Sequence, residues 1–461
     1  LPIFYNEEAT QQLSQAQQNL DTIFEETTNI ETGRENDETR YIQNTLERNF
    51  AFYVKNVLTE TEVKETKERK YGKQEITFQE AWNHPDPITR EKWREAIQKE
   101  FDCMNKRKLG FTGGEADPCL FTRKTNKGRV YIAIYVDDCL LIGDKEAIDE
   151  AIKDIGNSGF TYKEQGDLSD YLSCEIKTNE EVNKAWLGQP YLIKKLEKKF
   201  GKYVERMKIY KTPGTPNFNV KRNNEEKIDG ERQKLYRSGV GMLLFLVKHS
   251  RPDIANVTRE LSKCLDGASE AAYKELLRVI KFVLDTKNYG LKIEPEKNEG
   301  KFKLEVYTDS DYAGDEETRI SVTGYCLFLQ GVPICWRSKS QRSVTLSSSE
   351  AEYVALSEAA KEIKFIYQIL KSIEIEIDLP ITVRVDNVGA IFMSENVTTS
   401  QRTKHVDIRY NYVREFIQDG FLKVIFVKSE DNRADIFTKN VSAELQQQHA
   451  GKFLIERDVI K

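Results

Sequence analysis

The 461-residue sequence predicts a multidomain α/β and α+β chain whose C-terminal part is a mixed sheet with helices. Three observations carry this. The segment VYIAIYVDDCLLIG, Val130 to Gly143, is two apolar, β-branched runs around a doublet of Asp, the pattern of two buried strands joined by a tight turn. After Asn298, strand-like and helix-like periods alternate along the chain. Four acids, Asp309, Glu352, Asp386 and Asp435, each fall in or at the end of one of those elements.

In order, residues 1–75 are polar, with a glutamine-heavy run at Gln11 to Gln18, and are expected to be a disordered linker. Phe78 to His84 is a helical turn ended by Pro85 and Pro87, and Ile88 to Asn105 is helical, with Trp93, Ile97, Phe101 and Met104 at three- and four-residue spacing. Trp82 and Trp93 would anchor this region. After the Asp doublet come a helix at Lys145 to Gly156 and strands at Phe160 to Glu164 and Tyr171 to Ile176. Tyr191 to Phe200 is a basic amphipathic helix, and Thr212 to Asn223 is a connecting loop marked by Pro213, Gly214 and Pro216. Helices follow at Tyr236 to Lys248, at Asp253 to Cys264 with Pro252 starting it, and at Glu270 to Thr286.

Beyond Asn298, Phe302 to Thr308 is a strand, and Gly324 to Leu329 with Val332 to Trp336 is a hairpin. Ser349 to Ile373 is a long helix, Ile381 to Val385 a strand, and Val388 to Ser394 and His405 to Gln418 are helices. Leu422 to Val427 is the last strand and Asn432 to Lys439 a short helix. The expected segments are 1–75 linker, 76–220 first domain, 221–298 helical connection, 299–445 C-terminal domain and 446–461 tail.

Composition narrows the class. Apolar residues make up 39% of the chain, enough for real cores, and no run of eighteen apolar residues exists, so no membrane span or membrane partner is expected. Leu1 to Asn6 shows no secretory signal, and the absent initiator Met fits a fragment or a processed polyprotein. A net charge of -5 argues against a globally basic nucleic-acid binder, yet the charge is uneven: Lys194 to Lys211 is strongly basic, whereas Asp21 to Arg40 has seven acids and two bases. The seven Cys form no CxxC pair, which argues against zinc knuckles and fingers and fits a reducing compartment.

Carboxylates at the ends of rigid elements can be aimed at one face of a sheet. Phosphodiester hydrolysis needs charge stabilisation on the attacking and leaving oxygens, which two Mg²⁺ (or Mn²⁺) ions about 3.5–4 Å apart supply. Hard cations take oxygen ligands, so such a site wants carboxylates and no thiols. A single Asp at a strand end is as well read as a helix cap or turn residue, but four in this arrangement point to a metal site.

The motifs TDSD, SSSEAEYVAL, VDNVGAI, RTKHVDIRYNYVRE and NRADIFTK resemble the ribonuclease H domain of copia-type retrotransposon Pol polyproteins. The resemblance implies a ribonuclease H-like fold and Mg²⁺- or Mn²⁺-dependent cleavage of RNA in RNA–DNA hybrids by Asp309, Glu352, Asp386 and Asp435. Glu350 competes with Glu352; Glu352 is preferred because AEYVAL resembles the AELIAL-type helix of retroviral relatives, leaving Glu350 to the helix start. The loop His that other ribonucleases H often carry before the last Asp is absent from Val427 to Asn432. Arg337, Lys339 and Arg342 are candidates to meet hybrid phosphates, or equally a solvated basic loop. His405 is expected to be structural.

YVDD at Tyr135 to Asp138 resembles the palm hairpin of a reverse transcriptase, where Asp137 and Asp138 would serve nucleotide addition. FQEAWNHPD, WREAIQKEF, LGFTGGEADPCLFTR, LSDYLSCEI, QPYLIKKLEKKFG and YRSGVGMLLFLVKHSRPDIANVTRELSK resemble other reverse transcriptase and connection segments of that family. The family's stretch with most of the fingers and the first palm Asp is missing: its flanks abut at Lys108–Leu109, and only Asp102 and Asp117 lie between Phe101 and Val130. RNA-directed DNA synthesis is therefore expected to be lost. Two alternatives to a nuclease are a non-catalytic nucleic-acid-binding relic and an inert one. No protease D-S/T-G triplet or integrase zinc site is present. The resemblance implies an intracellular life cycle through cytoplasmic particles and nuclear integration; neither an address signal nor an oligomeric state is legible.

Overall fold

The computed structural model describes residues 109–113, 116–117, 119–157 except 136–137, 174–181, 183–221, 226–297, 300–395 and 404–460, with side chains at 135, 138 and 404–410 left aside. The expected linker, the helices at Phe78 to Asn105, the strand at Phe160 to Glu164 and the Asp102 position lie outside the described residues. The chain divides into two compact units, 1–164 and 165–461, so the division falls inside the expected 76–220 segment.

In the first unit, β1 (Thr112–Gly113), β2 (Leu120–Thr125), β3 (Gly128–Tyr135) and β4 (Asp138–Gly143) form an antiparallel sheet in chain order. The two apolar runs pair as β3 and β4, from Val130↔Gly143 to Tyr135↔Asp138. Helix α1 (Lys145–Asn157) buries Ala147, Ala151 and Ile155, spaced by four residues, with Phe121, Val130, Ile132 and Ile134 of the sheet.

The second unit's described residues open with β5 (Glu175–Thr178), which overlaps the expected strand Tyr171 to Ile176, whose residues 171–173 lie outside the described ones, then β6 (Ala185–Gly188) and α2 (Pro190–Val204). Helices α3 (Gly230–His249), α4 (Ala255–Ser262) and α5 (Glu270–Asp285) pack with α2 around Leu196, Phe200, Tyr236, Leu243, Leu276 and Val279. The helix expected at Asp253 to Cys264 is a 3-10 turn, Pro252–Ile254, leading into α4. Strand β7 (Tyr289–Ile293) follows.

The C-terminal elements are β8 (Leu304–Asp311), β9 (Val322–Leu329), β10 (Val332–Ser340), α6 (Ser348–Ser372), β11 (Ile381–Val385), α7 (Val388–Glu395), α8 (Lys404–Gln418) and β12 (Leu422–Phe426). They form a five-stranded sheet of order β10-β9-β8-β11-β12. β8, β9 and β10 are antiparallel neighbours, whereas β11 runs parallel to both β8 and β12. This is the mixed sheet with helices that the sequence predicts. β8 lies at its centre. Its Leu304 and Val306 face α6, sharing a core with Tyr353, Leu356, Ala360 and Ile363. Tyr307 points the other way, into a core with Phe328, Phe437 and Phe453.

The stretch read as a tail from residue 446 on is ordered structure. Helix α9 (Ala443–Phe453) leads into β13 (Leu454–Glu456), which pairs antiparallel with β7 in a sheet of order β13-β7-β6-β5. Its few apolar residues hide it: α9 reads AELQQQHAGKF, yet it buries Gln446 and His449 as well as Phe453. Among the described residues the cysteines form no disulfide, and no helix there is long and apolar enough to cross a membrane.

Candidate metal centre

Three carboxylates meet at the end of the central strand. Asp309, Glu352 and Asp386 each present an oxygen, and these atoms lie within 4.8 Å of one another. β8 ends just beyond Asp309, α6 delivers Glu352 from one turn into the helix, and Asp386 follows β11. Because β11 is parallel to β8, with Val385 opposite Thr308, both strands deliver their acids to the same edge.

The start of α6 separates the two glutamates that compete in the sequence. The hydroxyl of N-cap Ser347 accepts from the Glu350 backbone N–H at 3.1 Å, and Glu350 Oε2 accepts from Leu346 N–H at 2.7 Å. Glu350 thus satisfies the helix end. Two residues on, Glu352 turns inward and is 5% exposed. Its Oε1 accepts from both the N–H and the hydroxyl of Ser310, each at 3.0 Å, while Oε2 is buried without a hydrogen-bond partner. A buried carboxylate oxygen left this way is costly unless a cation joins it.

Asp435 comes from a 3-10 turn, Asp435–Phe437, held against β8 and β9. Asn432, fully buried, donates to the Thr308 carbonyl at 2.9 Å and accepts from Ala434 N–H at 3.1 Å. Gly324, opposite Asp309 on β9, makes room for the turn: a Cβ there would lie 2.6 Å from Thr438 Cγ2 and 3.0 Å from the Ala434 carbonyl oxygen. Thr438 donates its hydroxyl to Asp309 Oδ2. Asp435 stands apart from the close trio and is ion-paired to Lys439, with Nζ 3.0 Å from Oδ1; the same Nζ is 3.9 Å from Asp309 Oδ2.

The electrostatics follow from burial and like charge. Burial first, then the Asp435 and Asp386 carboxylates, push Asp309 up to about 7 against the opposing pull of Lys439. Burial also raises Glu352 well above the usual carboxylate range, helped by Asp309 and Asp386. Burial raises Asp435 too, while Lys439 pulls it back. Burial acts to lower Lys439, but Asp309 and Asp435 outweigh it and hold the ammonium charged. The donor set, oxygen-only, clustered and short of positive charge, fits a hard divalent ion such as Mg²⁺ or Mn²⁺.

Of the other candidates, Arg337 is exposed on β10, and Lys339, held 4.0 Å from Glu358, is lowered by burial and by the neighbouring Arg337, Arg342 and Lys361 charges. These cations therefore share one patch at the strand end before α6. Asp137 lies outside the described residues; Asp138 opens β4, but its side chain, like that of His405, is not among those described. In the loop that has no His, Ser429 donates its hydroxyl to Asp386 Oδ2 at 2.7 Å. Sequence reading missed Ser310, Ser429, Asn432, Thr438 and Lys439. Only the last two left a signal, in that TK stands three and four residues after Asp435, on the same side of a helical turn.

Fold and site together define an α/β protein with a carboxylate cluster built for a hard cation at the ends of its sheet strands. No family model matches the chain. It is 30% identical over 349 residues to the Retrovirus-related Pol polyprotein from transposon RE1 of Arabidopsis thaliana, covering 76% of this chain and 23% of that polyprotein. It is also 30% identical over 333 residues to that from transposon TNT 1-94 of Nicotiana tabacum, covering 71% of this chain and 24% of the relative. The solved structure of LC11-RNase H1, isolated from compost, aligns at 18% identity and a TM-score of 0.23 over 30% of this chain and 92% of that one. The chain belongs to the copia-type retrovirus-related Pol polyproteins of transposons. It spans about a quarter of the length of these relatives.

Proposed function

We propose that residues 299–445 act as a metal-dependent ribonuclease H that hydrolyses RNA in RNA–DNA hybrids. The observation that carries this reading is the Asp309, Glu352 and Asp386 trio, with oxygens within 4.8 Å and one Glu352 oxygen left unpaired. When bound, a divalent ion supplies charge stabilisation to the phosphate oxygens. The protein's own part is to hold the carboxylates in place: Ser310 fixes Glu352, Ser429 fixes Asp386, and Thr438 fixes Asp309. The basic patch of Arg337, Lys339 and Arg342 suits the phosphates of a duplex entering from the β10 edge.

In this reading the segment around β1 to β4 is the remnant of a reverse transcriptase palm. Polymerase activity is lost because the fingers and the first palm Asp are absent from the sequence between Phe101 and Val130. Purified chain extending a primer on an RNA template would contradict that part.

The deciding experiment is cleavage of a labelled RNA–DNA hybrid in Mg²⁺. Wild type should cut the RNA strand, and Asp386→Asn should cut slower by on the order of a hundredfold, the scale for losing one group that stabilises transition-state charge. Equal cleavage by both would remove the proposed site, whereas a wild type that binds the hybrid without cutting it would favour a nucleic-acid-binding relic.

A further inference from the structure

The carboxylate cluster divides into two sides. On one, Asp309, Glu352 and Asp386 converge around a buried Glu352 oxygen that has no hydrogen-bond partner, and Lys439 touches this trio at Asp309. On the other, Asp435 Oδ1 is likewise buried without a hydrogen-bond partner, but a cation stands beside it: Lys439 Nζ is 3.0 Å away, and 3.9 Å from Asp309 Oδ2. Lys439 is delivered by the same turn as Asp435, one helical step on, and its backbone N–H bonds the Asp435 carbonyl at 3.1 Å. The Lys439 backbone is therefore tied to the Asp435 turn, which keeps the ammonium within reach of the site. Its side chain is 44% exposed, so it has room to swing out to solvent.

We propose that Lys439 is a built-in cation that competes with the second metal ion: the Asp309–Glu352–Asp386 side takes one divalent ion tightly, and the Asp309–Asp435 side takes another only by displacing the lysine. This rests on the metal-dependent nuclease reading and refines its ion count. The physical ground is charge. An ammonium bridging two carboxylates neutralises part of what a second ion would need, and the incoming ion must break a charge-assisted ion pair to replace it. Lys439 is thus a positioning residue that sets the cation complement, rather than a group acting on the substrate.

The test is Mn²⁺ titrated into the full metal-stripped chain, with free Mn²⁺ followed by its paramagnetic resonance signal. Wild type should bind one ion tightly and a second about tenfold or more weaker, the scale of one broken ion pair. Lys439→Gln should tighten the second site by a similar factor, and Asp435→Asn combined with Lys439→Gln should lose that gain. Two equally tight ions in wild type would overturn the proposal without any variant being needed. So would identical isotherms for wild type and Lys439→Gln. The parent reading is judged separately by hybrid cleavage: wild type that cleaves while its isotherm ignores Lys439 removes this inference alone, whereas no Mn²⁺ binding and no cleavage removes both.

Discussion

Asp309 is 2% exposed and sits against two other carboxylates, so its proton is held more tightly in the folded chain than in the unfolded one. Its folded value of about 7 lies above the unfolded value near 3.8. Between those limits the native state binds more protons, and stability falls as pH rises through the window. Metal-free chain should therefore melt at a higher temperature at about pH 5 than at about pH 7, where carboxylates that gain from pairing remain ionised. Saturating Mg²⁺ or Asp309→Asn should flatten that slope; a melting temperature in EDTA that climbs with pH over this range would refute the assignment. Gly324 makes a second residue-scale prediction. Gly324→Ala drives a methyl into Thr438 and the Ala434 carbonyl. It should cost about 1–3 kcal/mol in urea unfolding, as overpacked sites do, and should weaken Mn²⁺ binding by shifting Asp435. At this scale the sequence names the four acids, because flanking motifs single them out. Lys439 left only its spacing as a signal, and a lysine four residues after an aspartate is the ordinary spacing of a surface helix pair.

The long helix α6 shows what an element adds. Its N-cap, Ser347, and the return bond from Glu350 fix where the helix begins, and that start fixes which glutamate points inward. Ser347→Ala should lower stability by about 1 kcal/mol. Glu350→Gln should leave hybrid cleavage intact, whereas Glu352→Gln should abolish it; the reverse ranking would exchange their roles. Elements with a strong period were legible to within a few residues, α6 and β11 among them, since each has an apolar face, and α7 was legible as a short apolar run. Those that were missed lack it. β6 is AWLG and β13 is LIE, too short for a period, and β2, LFTRKT, is mostly polar. α9 owes its place to Phe453 and to buried polar groups, with Gln446 donating to the Asp253 carbonyl at 3.2 Å. Such elements are set by tertiary partners rather than by local pattern.

At the scale of the second compact unit, the expected border near residue 298 is crossed by a shared core. Ala255 of α4 packs in one cluster with Tyr307, Phe328, Phe437 and Phe453. Trp336 of β10 donates its indole N–H to the Val247 carbonyl of α3 at 2.8 Å. Arg259 of α4 reaches Ser338 at 3.1 Å. Asn256 of α4 donates to Asn440 at 3.0 Å, one residue beyond Lys439, so the helical layer helps hold the turn that carries Asp435. Phe453 is fully buried, with ring centroids 5.1 Å from Phe328 and 5.4 Å from Phe437, and β13 begins at the next residue to pair with β7. A helical layer and a five-stranded sheet that share a core should unfold together. Phe453→Ala should cost about 3–5 kcal/mol, the range for emptying an aromatic site in a packed core. The loss should fall on one calorimetric transition that includes both the helices and the sheet. Hydrogen exchange resolves the alternative: amides of α3 to α5 and of β8 to β10 should lose protection in parallel in this variant. If α3 to α5 keep wild-type protection while the sheet opens, residues 221–298 and 299–445 are separate cooperative units and the shared core does not couple them.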